Sequence, residues 1–410
     1  MHSNLAAAYL RWTFLRGALA RGYWVVTALY LVEVAHLSPS QLILIGTFQA
    51  ITVLIANVPA GVLADARSRR RVLAFAQVVT GAGMVMVGLV RTFPLVAVSQ
   101  CLWGLGWAFA SGADVAWLTD ELDRPALVEG VLVAQARCDL LGRAAGTVVF
   151  AALASATTLS TAIVASGTAM MLLGFAVVGW PETRVERTRD SSVLTTTSAV
   201  LRRGFALAHT DRVVVVIIVA TALVNGGTAV VGRLREQRLL GLGLPKHPSP
   251  IVWFAGLTLV GIAMSIFALR IVEARLERPR AARHIFVAVC VFGATGAVSF
   301  AFAANAGMGA AGVLIASGLA PPVVSTVTTI CVNRRTTTDV RATVHSFVSQ
   351  AEQAGAIAFG LSLAIVAGRT STALALSAAA VLIAAAALLV AWTRSFGQLA
   401  TRRQRELDSD

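Results

Sequence analysis

The sequence is poor in charge for its length and has almost no lysine. Only 13% of its 410 residues are Asp, Glu, Lys or Arg, and Lys246 is the single lysine. A soluble domain carries about 25% charged residues, so this chain has too few charges to cover a water-facing surface of its size. The remaining charges cluster in short stretches between apolar runs. This deficit excludes an ordinary soluble globular protein.

Cysteine and histidine are also scarce, and the usual enzyme signatures are missing. The four cysteines lie in or beside apolar segments without metal-ligand spacing, and the six histidines are scattered. There is no Gly-Lys-Ser/Thr phosphate loop and no nucleophile elbow. We therefore expect no metal, no cofactor and no enzymatic activity, and energy for any transport must come from a gradient or a partner.

Long apolar runs make up most of the chain, which is 57% hydrophobic with a mean hydropathy of +0.77. The runs have the roughly 20-residue length of membrane-spanning helices, and they lack the two-residue alternation of a barrel. The sequence predicts an all-α membrane protein with twelve transmembrane helices. The predicted spans are 15–37, 42–64, 72–91, 95–118, 131–155, 160–180, 208–231, 251–272, 285–304, 309–331, 342–367 and 372–393.

The net charge of +14 reflects membrane orientation rather than nucleic-acid binding. With both termini in the cytoplasm, 26 of the Lys and Arg residues fall on the cytoplasmic side and six on the opposite side. Positive charge is retained on the cytoplasmic side of membrane proteins. We expect a multi-pass protein of a bacterial-type inner membrane, with both termini cytoplasmic and no nucleic-acid partner.

The longest cytoplasmic connector divides the spans six and six. It is polar and rich in Ser and Thr, and such a linker between equal halves indicates duplication. We predict two pseudo-symmetric six-helix bundles at 1–182 and 208–394, joined by a linker at 183–207 and followed by a cytoplasmic tail at 395–410.

The first intracellular turn, Gly61-Val-Leu-Ala-Asp65-Ala-Arg67-Ser-Arg-Arg-Arg71, resembles the loop-2/3 signature of the major facilitator superfamily. Gly61 and Asp65 share a helical face, because they are four residues apart. The resemblance implies the major facilitator fold and a cytoplasmic gate that opens during alternating access. The implied gate residues are Gly61, Asp65, Arg67, Arg69, Arg70 and Arg71. Fixing membrane topology is the alternative role for Asp65 and these arginines.

The fourth span refines the resemblance. Gln100 stands where proton-coupled drug exporters of the superfamily usually have Arg. The run Ser-Gly-x-x-x-Ala-x-x-x-Asp, from Ser111 to Asp120, looks like the macrolide-efflux-like exporter branch. The resemblance implies an exporter whose coupling differs from that of the drug exporters.

Ionisable residues inside predicted spans are costly unless paired or hydrated, and they point to function. Glu352 lies near the middle of the eleventh span and is the first candidate for proton coupling. The others are Glu33, Asp139 and Asp114. Glu33 has an interfacial role as its alternative. Asp114, Asp139, Arg137 and Arg143 are expected to form a buried polar network, whose role is either structural or in transport.

Aromatic and amide side chains are the candidates for lining a substrate cavity. They are Tyr23, Trp24, Tyr30, Asn225 and Gln353. Asn225 precedes two glycines, which predicts a break in the seventh span of the kind that lines transporter cavities. Gly142 and Gly146 of the fifth span are more typical of close helix packing.

These observations favour a proton-coupled exporter of small amphipathic or hydrophobic compounds, such as antibiotics, that acts as a monomer in the lipid bilayer. Uptake or export of a polar metabolite or siderophore is the alternative and would predict a more polar cavity. A membrane enzyme and a transport-dead sensor are the remaining alternatives.

Overall fold

The structure is a computed structural model that describes residues 2–66, 68–122, 125–182, 212–245, 247–273, 275, 281–335 and 338–393. The predicted linker 183–207 and tail 395–410 lie outside the described residues. The first six helices are α1 (His2–Glu33), α2 (Pro39–Ala66), α3 (Arg69–Leu89), α4 (Phe93–Leu122), α5 (Pro125–Ala156) and α6 (Leu159–Val178). The others are α7 (Arg212–Gly241), α8 (Pro250–Glu273), α9 (Ala281–Ala301), α10 (Ala306–Val313), α11 (Ala320–Arg335), α12 (Thr338–Arg369) and α13 (Thr372–Trp392).

Eleven helices within the described residues are long and apolar enough to cross a membrane. α1 is not among them, because its arginines lower its hydropathy, but its 32 residues have the length to span. Together these helices confirm the prediction of an all-α membrane protein with about a dozen spans. Each predicted span overlaps one helix, except that the tenth corresponds to α10 and α11 joined by a π-helical segment, Leu314–Leu319.

Local sequence sets where many helices begin. At the N-termini of four helices, a capping side-chain oxygen accepts a hydrogen bond from a backbone N–H group. The capping residues are Ser68, Thr158, Asn305 and Ser371. Three other helices begin at proline, namely at Pro39, Pro125 and Pro250. Proline suits the first helical turn, since its missing N–H would have no partner there. Polar caps and prolines therefore separate apolar runs that would otherwise merge.

The chain forms two compact units. Unit 1 comprises Met1–Gln41, Phe48–Asp190 and Pro245–Leu259, and unit 2 comprises Leu42–Thr47, Ser191–Leu244 and Val260–Asp410. Within unit 1, α1 packs on α5 and α6, and α3 packs on α4 and α6. Within unit 2, α7 packs on α12 and α13, and α9 packs on α10, α11 and α13. The order of packing is therefore the same inside each unit, as expected if one six-helix unit was duplicated.

Glycines bring the first and fifth helices of each unit into close contact. A Cβ atom built on Gly146 of α5 would lie 2.0 Å from the carbonyl oxygen of Ala18 in α1. Gly142 makes the same kind of contact one turn earlier. In unit 2, a Cβ on Gly355 of α12 would lie 2.1 Å from the carbonyl oxygen of Ala222 in α7. The predicted packing role of the fifth-span glycines is confirmed.

The core of unit 1 contains an aromatic cluster of Tyr9, Trp12, Trp117 and Trp180. Their ring centroids are 4.4 to 6.4 Å apart. Trp117 is 1% exposed, and its indole N–H donates to the carbonyl oxygen of Pro181. The cluster thus ties the segment after α6 to α1 and α4 by packing the partly buried Trp180 against three buried rings.

The seventh helix differs from its prediction in two ways. It does not end near residue 231, and the predicted break at Asn225 is wrong, because α7 is continuous from Arg212 to Gly241. Gly226 faces the backbone of Gly355, and Gly227 faces the carbonyl oxygen of Ala379. These glycines permit close helix packing, so they do not need to break the helix.

Candidate functional site

The arginines that follow α2 are held by neighbours within unit 1. Arg69 forms an ion pair with Asp120 of α4 and donates to the carbonyl oxygen of Ala116 at 2.9 Å. Arg70 approaches Glu182, at 3.7 Å between Nε and Oε2, and also donates to the carbonyl oxygen of Trp180. These contacts join the start of α3 to α4 and to the end of α6. The two arginines therefore have structural partners in addition to any topological role.

The structure describes fewer contacts for the remaining gate candidates. A Cβ built on Gly61 meets no described atom within 4 Å, so the structure shows no close helix approach there. Asp65 lies in the last turn of α2, but its side chain lies outside the described part of the chain, as does the whole of Arg67. Arg71 is exposed. The gate role of these residues stays a prediction.

The intramembrane charges of unit 1 form two separate pairs. Asp114 of α4 pairs with Arg16 of α1 at 3.0 Å, and its side chain is only 9% exposed. Asp139 pairs with Arg143 at 2.7 Å, one helical turn apart on α5, with both side chains more than a third exposed. Arg137 is exposed. The structure therefore brings Asp139 and Arg143 together as expected, but it places Asp114 with Arg16 instead.

Long side chains also connect α1 and α4 further along the two helices. The Gln100 amide donates to the Tyr23 hydroxyl at 2.6 Å, and both residues are fully buried. The Trp24 ring meets the Trp103 ring edge-on at 5.1 Å, and Trp103 stacks on Trp107 with 9° between their planes. We call Arg16, Tyr23, Trp24, Gln100, Trp103 and Trp107 the α1–α4 seam.

Arg16 completes this seam at the end nearest the N-terminus of α1. Its guanidinium lies 5.1 Å from the Trp12 ring centroid and 5.4 Å from that of Trp107, besides pairing with Asp114. A cation over aromatic faces is favourable, more so when partly desolvated. Sequence reasoning counted Arg16 only among the topological charges, because its ion-pair partner Asp114 lies on a different helix.

Two further candidates lie at the end of α1. Tyr30 is 1% exposed, and its hydroxyl donates to the carbonyl oxygen of Val90 at 2.9 Å, so it fastens the end of α3 rather than lining a cavity. Glu33 is exposed at the last residue of α1. That position fits the interfacial alternative for Glu33.

In unit 2, the candidate residues meet where α7 packs on α12. The Asn225 side-chain amide donates to the backbone carbonyl oxygen of Glu352 at 2.7 Å. Glu352 and Gln353 are half-buried. No ion pair joins the Glu352 carboxylate to any residue that the structure describes. It therefore differs from Asp114 and Asp139, each of which has an arginine partner.

Sequence reasoning missed a charged group near the C-terminal end of α7, because it placed these residues in a loop. Glu236 is 2% exposed and pairs with Arg235. Arg238 donates to the carbonyl oxygen of Ala301 at the end of α9 at 2.9 Å. A cation at a helix C-terminus is stabilising, so these residues continue α7 and fasten it to α9. Over the described residues, no group of His, Cys, Asp and Glu side chains is arranged to hold a metal ion.

The family model described as Major Facilitator Superfamily matches residues 12–360. A search of curated proteins gives no significant match.

Solved transporter structures share the fold at low sequence identity. The nucleoside transporter NupG has a TM-score of 0.77 at 14% identity, covering 94% of this chain and 98% of its own. A bacterial homologue of the human lysosomal transporter Spinster has a TM-score of 0.70 at 13% identity, covering 98% and 97%. A D-xylose–proton symporter has a TM-score of 0.69 at 15% identity, covering 95% and 98%. At such identities the likeness concerns the fold alone.

Proposed function

This chain belongs to the Major Facilitator Superfamily and is a multi-pass secondary transporter of small molecules rather than an enzyme, and we propose that it exports amphipathic or hydrophobic compounds in exchange for protons. The transporter works by alternating access and acts as a monomer. It lies in a bacterial-type inner membrane with both termini on the cytoplasmic side. The resemblance of the fourth helix to the macrolide-efflux-like exporter branch supports the proposed export.

The isolation of the Glu352 carboxylate is the observation that carries the coupling proposal. It lies within the membrane-length segment Val344–Arg369, and no described residue forms an ion pair with it. A charged carboxylate without a partner is costly in that environment. Proton binding removes the charge, so a change in the exposure of the Glu352 carboxylate to water changes its affinity for the proton. Asp114 and Asp139 are poorer candidates, since each already forms an ion pair with an arginine.

Asn225 gives the carboxylate a defined position. Its hydrogen bond to the Glu352 backbone fixes that turn of α12 against α7. The tight contact of Gly355 with Ala222 lies one turn further along the same interface. A change in the packing of α7 on α12 therefore changes the surroundings of Glu352, which is how substrate movement and proton binding are linked.

The export proposal is supported by the aromatic side chains of the α1–α4 seam, since rings such as Trp103 and Trp107 suit bulky lipophilic solutes. Uptake by symport is the second candidate. The buried polar atoms of Gln100 favour a solute with a polar edge, and one protein of the same fold is a D-xylose–proton symporter.

The test is an accumulation and susceptibility screen across compound classes in a host without its own exporters, with and without an uncoupler. Export predicts lower accumulation on expression, with the effect abolished by the uncoupler. Glu352→Gln should abolish the effect at normal expression, whereas the matched change Glu33→Gln at the exposed end of α1 should retain most of it. Higher accumulation on expression would favour uptake, and unchanged export by the Glu352 variant would contradict the coupling assignment.

A further inference from the structure

Two polar atoms of the α1–α4 seam are buried without a hydrogen-bond partner among the residues that the structure describes. They are Oε1 of Gln100 and Nε1 of Trp103. Gln100 is fully buried and Trp103 is 7% exposed. Buried polar groups nearly always have a partner, because an unpaired one retains the full cost of its desolvation. An acceptor and a donor one helical turn apart, both unsatisfied, indicate a partner that is not part of the chain.

The face of α4 that carries these atoms does not face lipid. Gln100, Trp107 and Asp114 are spaced seven residues apart and therefore share one face of the helix. Val98, nine residues before Trp107 and thus on the opposite face, is 51% exposed. The Arg16 guanidinium lies against Trp107 and pairs with Asp114, and such a charge pair is not stable against hydrocarbon. The 39% exposed Trp107 ring lies on the same face of α4 as this charge pair.

The chemistry of this face specifies a kind of solute. The parallel Trp103 and Trp107 rings present an aromatic surface on which a flat ring can stack. Gln100 Oε1 can accept a hydrogen bond from the solute, and the indole N–H of Trp103 can donate one to it. Arg16 is neutralised by Asp114, so the seam offers no unpaired charge to attract a charged solute.

We propose that the α1–α4 seam binds uncharged, flat heteroaromatic solutes that carry a hydrogen-bond donor beside an acceptor, as a cyclic amide does. The proposal rests on the transport function and names a solute class for it. The solute ring stacks on Trp107 while its amide edge pairs with Gln100 and Trp103. Both polar atoms are covered in this conformation, so the solute reaches them when the Trp24 ring leaves its edge-on contact with Trp103.

The test is a binding measurement on the purified full-length protein in lipid nanodiscs, where no gradient exists. The probes are quinolin-2-one, which has adjacent N–H and C=O groups, and N-methylquinolin-2-one, which has lost the donor. The wild type should bind quinolin-2-one at least about tenfold more tightly, since methylation leaves a buried acceptor unpaired.

Two variants assign the preference to the seam. Gln100→Leu removes the acceptor, and Trp103→Phe removes the donor but keeps an aromatic ring. Gln100→Leu should reduce the tenfold preference to less than about twofold, whereas Trp103→Phe should weaken the binding of both probes, since both keep the C=O group that accepts from the indole. Trp392→Phe changes a tryptophan that is 86% exposed and should leave the preference and both affinities intact. Equal affinity of the wild type for the two probes, absence of saturable binding, a full preference in Gln100→Leu, or unchanged affinities in Trp103→Phe would overturn the proposal.

The same samples separate this proposal from the transport proposal. Binding requires no proton gradient, so Glu352→Gln should keep the quinolin-2-one preference while losing gradient-driven export. If the wild type fails to export but keeps the probe preference, the transport proposal alone is contradicted. Proton-coupled export of other compounds without any probe preference would overturn the solute class alone.

Discussion

Replacing Gly146 by Ala should destabilise the protein, because this position has no room for a methyl group. The new Cβ would lie 2.0 Å from the carbonyl oxygen of Ala18, whereas ordinary contact begins at 3.4 Å. The α1 backbone must therefore move by about 1.4 Å. Overpacking of this kind costs about 1–3 kcal/mol, and the better helix propensity of Ala returns up to about 1 kcal/mol. We expect a net loss of about 2 kcal/mol.

Gly130→Ala is the matched control, since it makes the same change on the same helix. A Cβ at Gly130 meets no described atom within 4 Å, and the residue is exposed. The control should gain stability by up to about 1 kcal/mol. Denaturant titration in mixed micelles, followed by far-ultraviolet circular dichroism, measures both variants. Equal or greater stability of Gly146→Ala than of the wild type would refute the argument that α1 and α5 are held at glycine distance.

Three further changes test other parts of the structure. Asp114→Asn should lower the free energy of unfolding by about 3 kcal/mol, because it leaves a mostly buried arginine unpaired. Asp139→Asn should lower it by less than about 1 kcal/mol, because its arginine partner is more exposed. Equal losses in the same titration would contradict this difference. Asn225→Ala should cost about 1 kcal/mol by removing the donor to an α12 carbonyl group, and an unchanged unfolding midpoint would argue against that contact. Asp65→Asn should slow transport and increase labelling of a Ser111→Cys reporter by a cytoplasmic thiol reagent, whereas unchanged labelling would leave Asp65 a topological residue.

Apolar run length predicted the helices well, because the hydrophobic thickness of the bilayer imposes it. Run length fails as a guide where a membrane-length helix also contains charged residues. Glu236 and Arg238 indicated a loop after residue 231, yet their partners at Arg235 and Ala301 allow α7 to continue. The π-helical segment Leu314–Leu319 carries no recognisable sequence signal. Both features depend on contacts with other parts of the chain.

The candidate site was predictable only in part, since sequence spacing reveals partners on the same helix but not across helices. The pairing of Asp139 with Arg143 follows from their four-residue spacing. The pairing of Asp114 with Arg16 joins residues 98 positions apart, and no local pattern predicts it. Tyr30 illustrates the same limit, because its role became clear only from its hydrogen bond to another helix. The charges and aromatics were therefore identifiable as important before their partners were known.

Proton movement driven by substrate tests the central claim most directly. The purified protein is placed in liposomes that contain a pH-sensitive dye, and a substrate found by the accumulation screen is added outside. The wild type should move protons against the substrate, and Glu352→Gln should move none while still exchanging labelled for unlabelled substrate. Proton movement in Glu352→Gln equal to that of the wild type would contradict the assignment of Glu352, and substrate transport by the wild type without proton movement would contradict proton coupling itself.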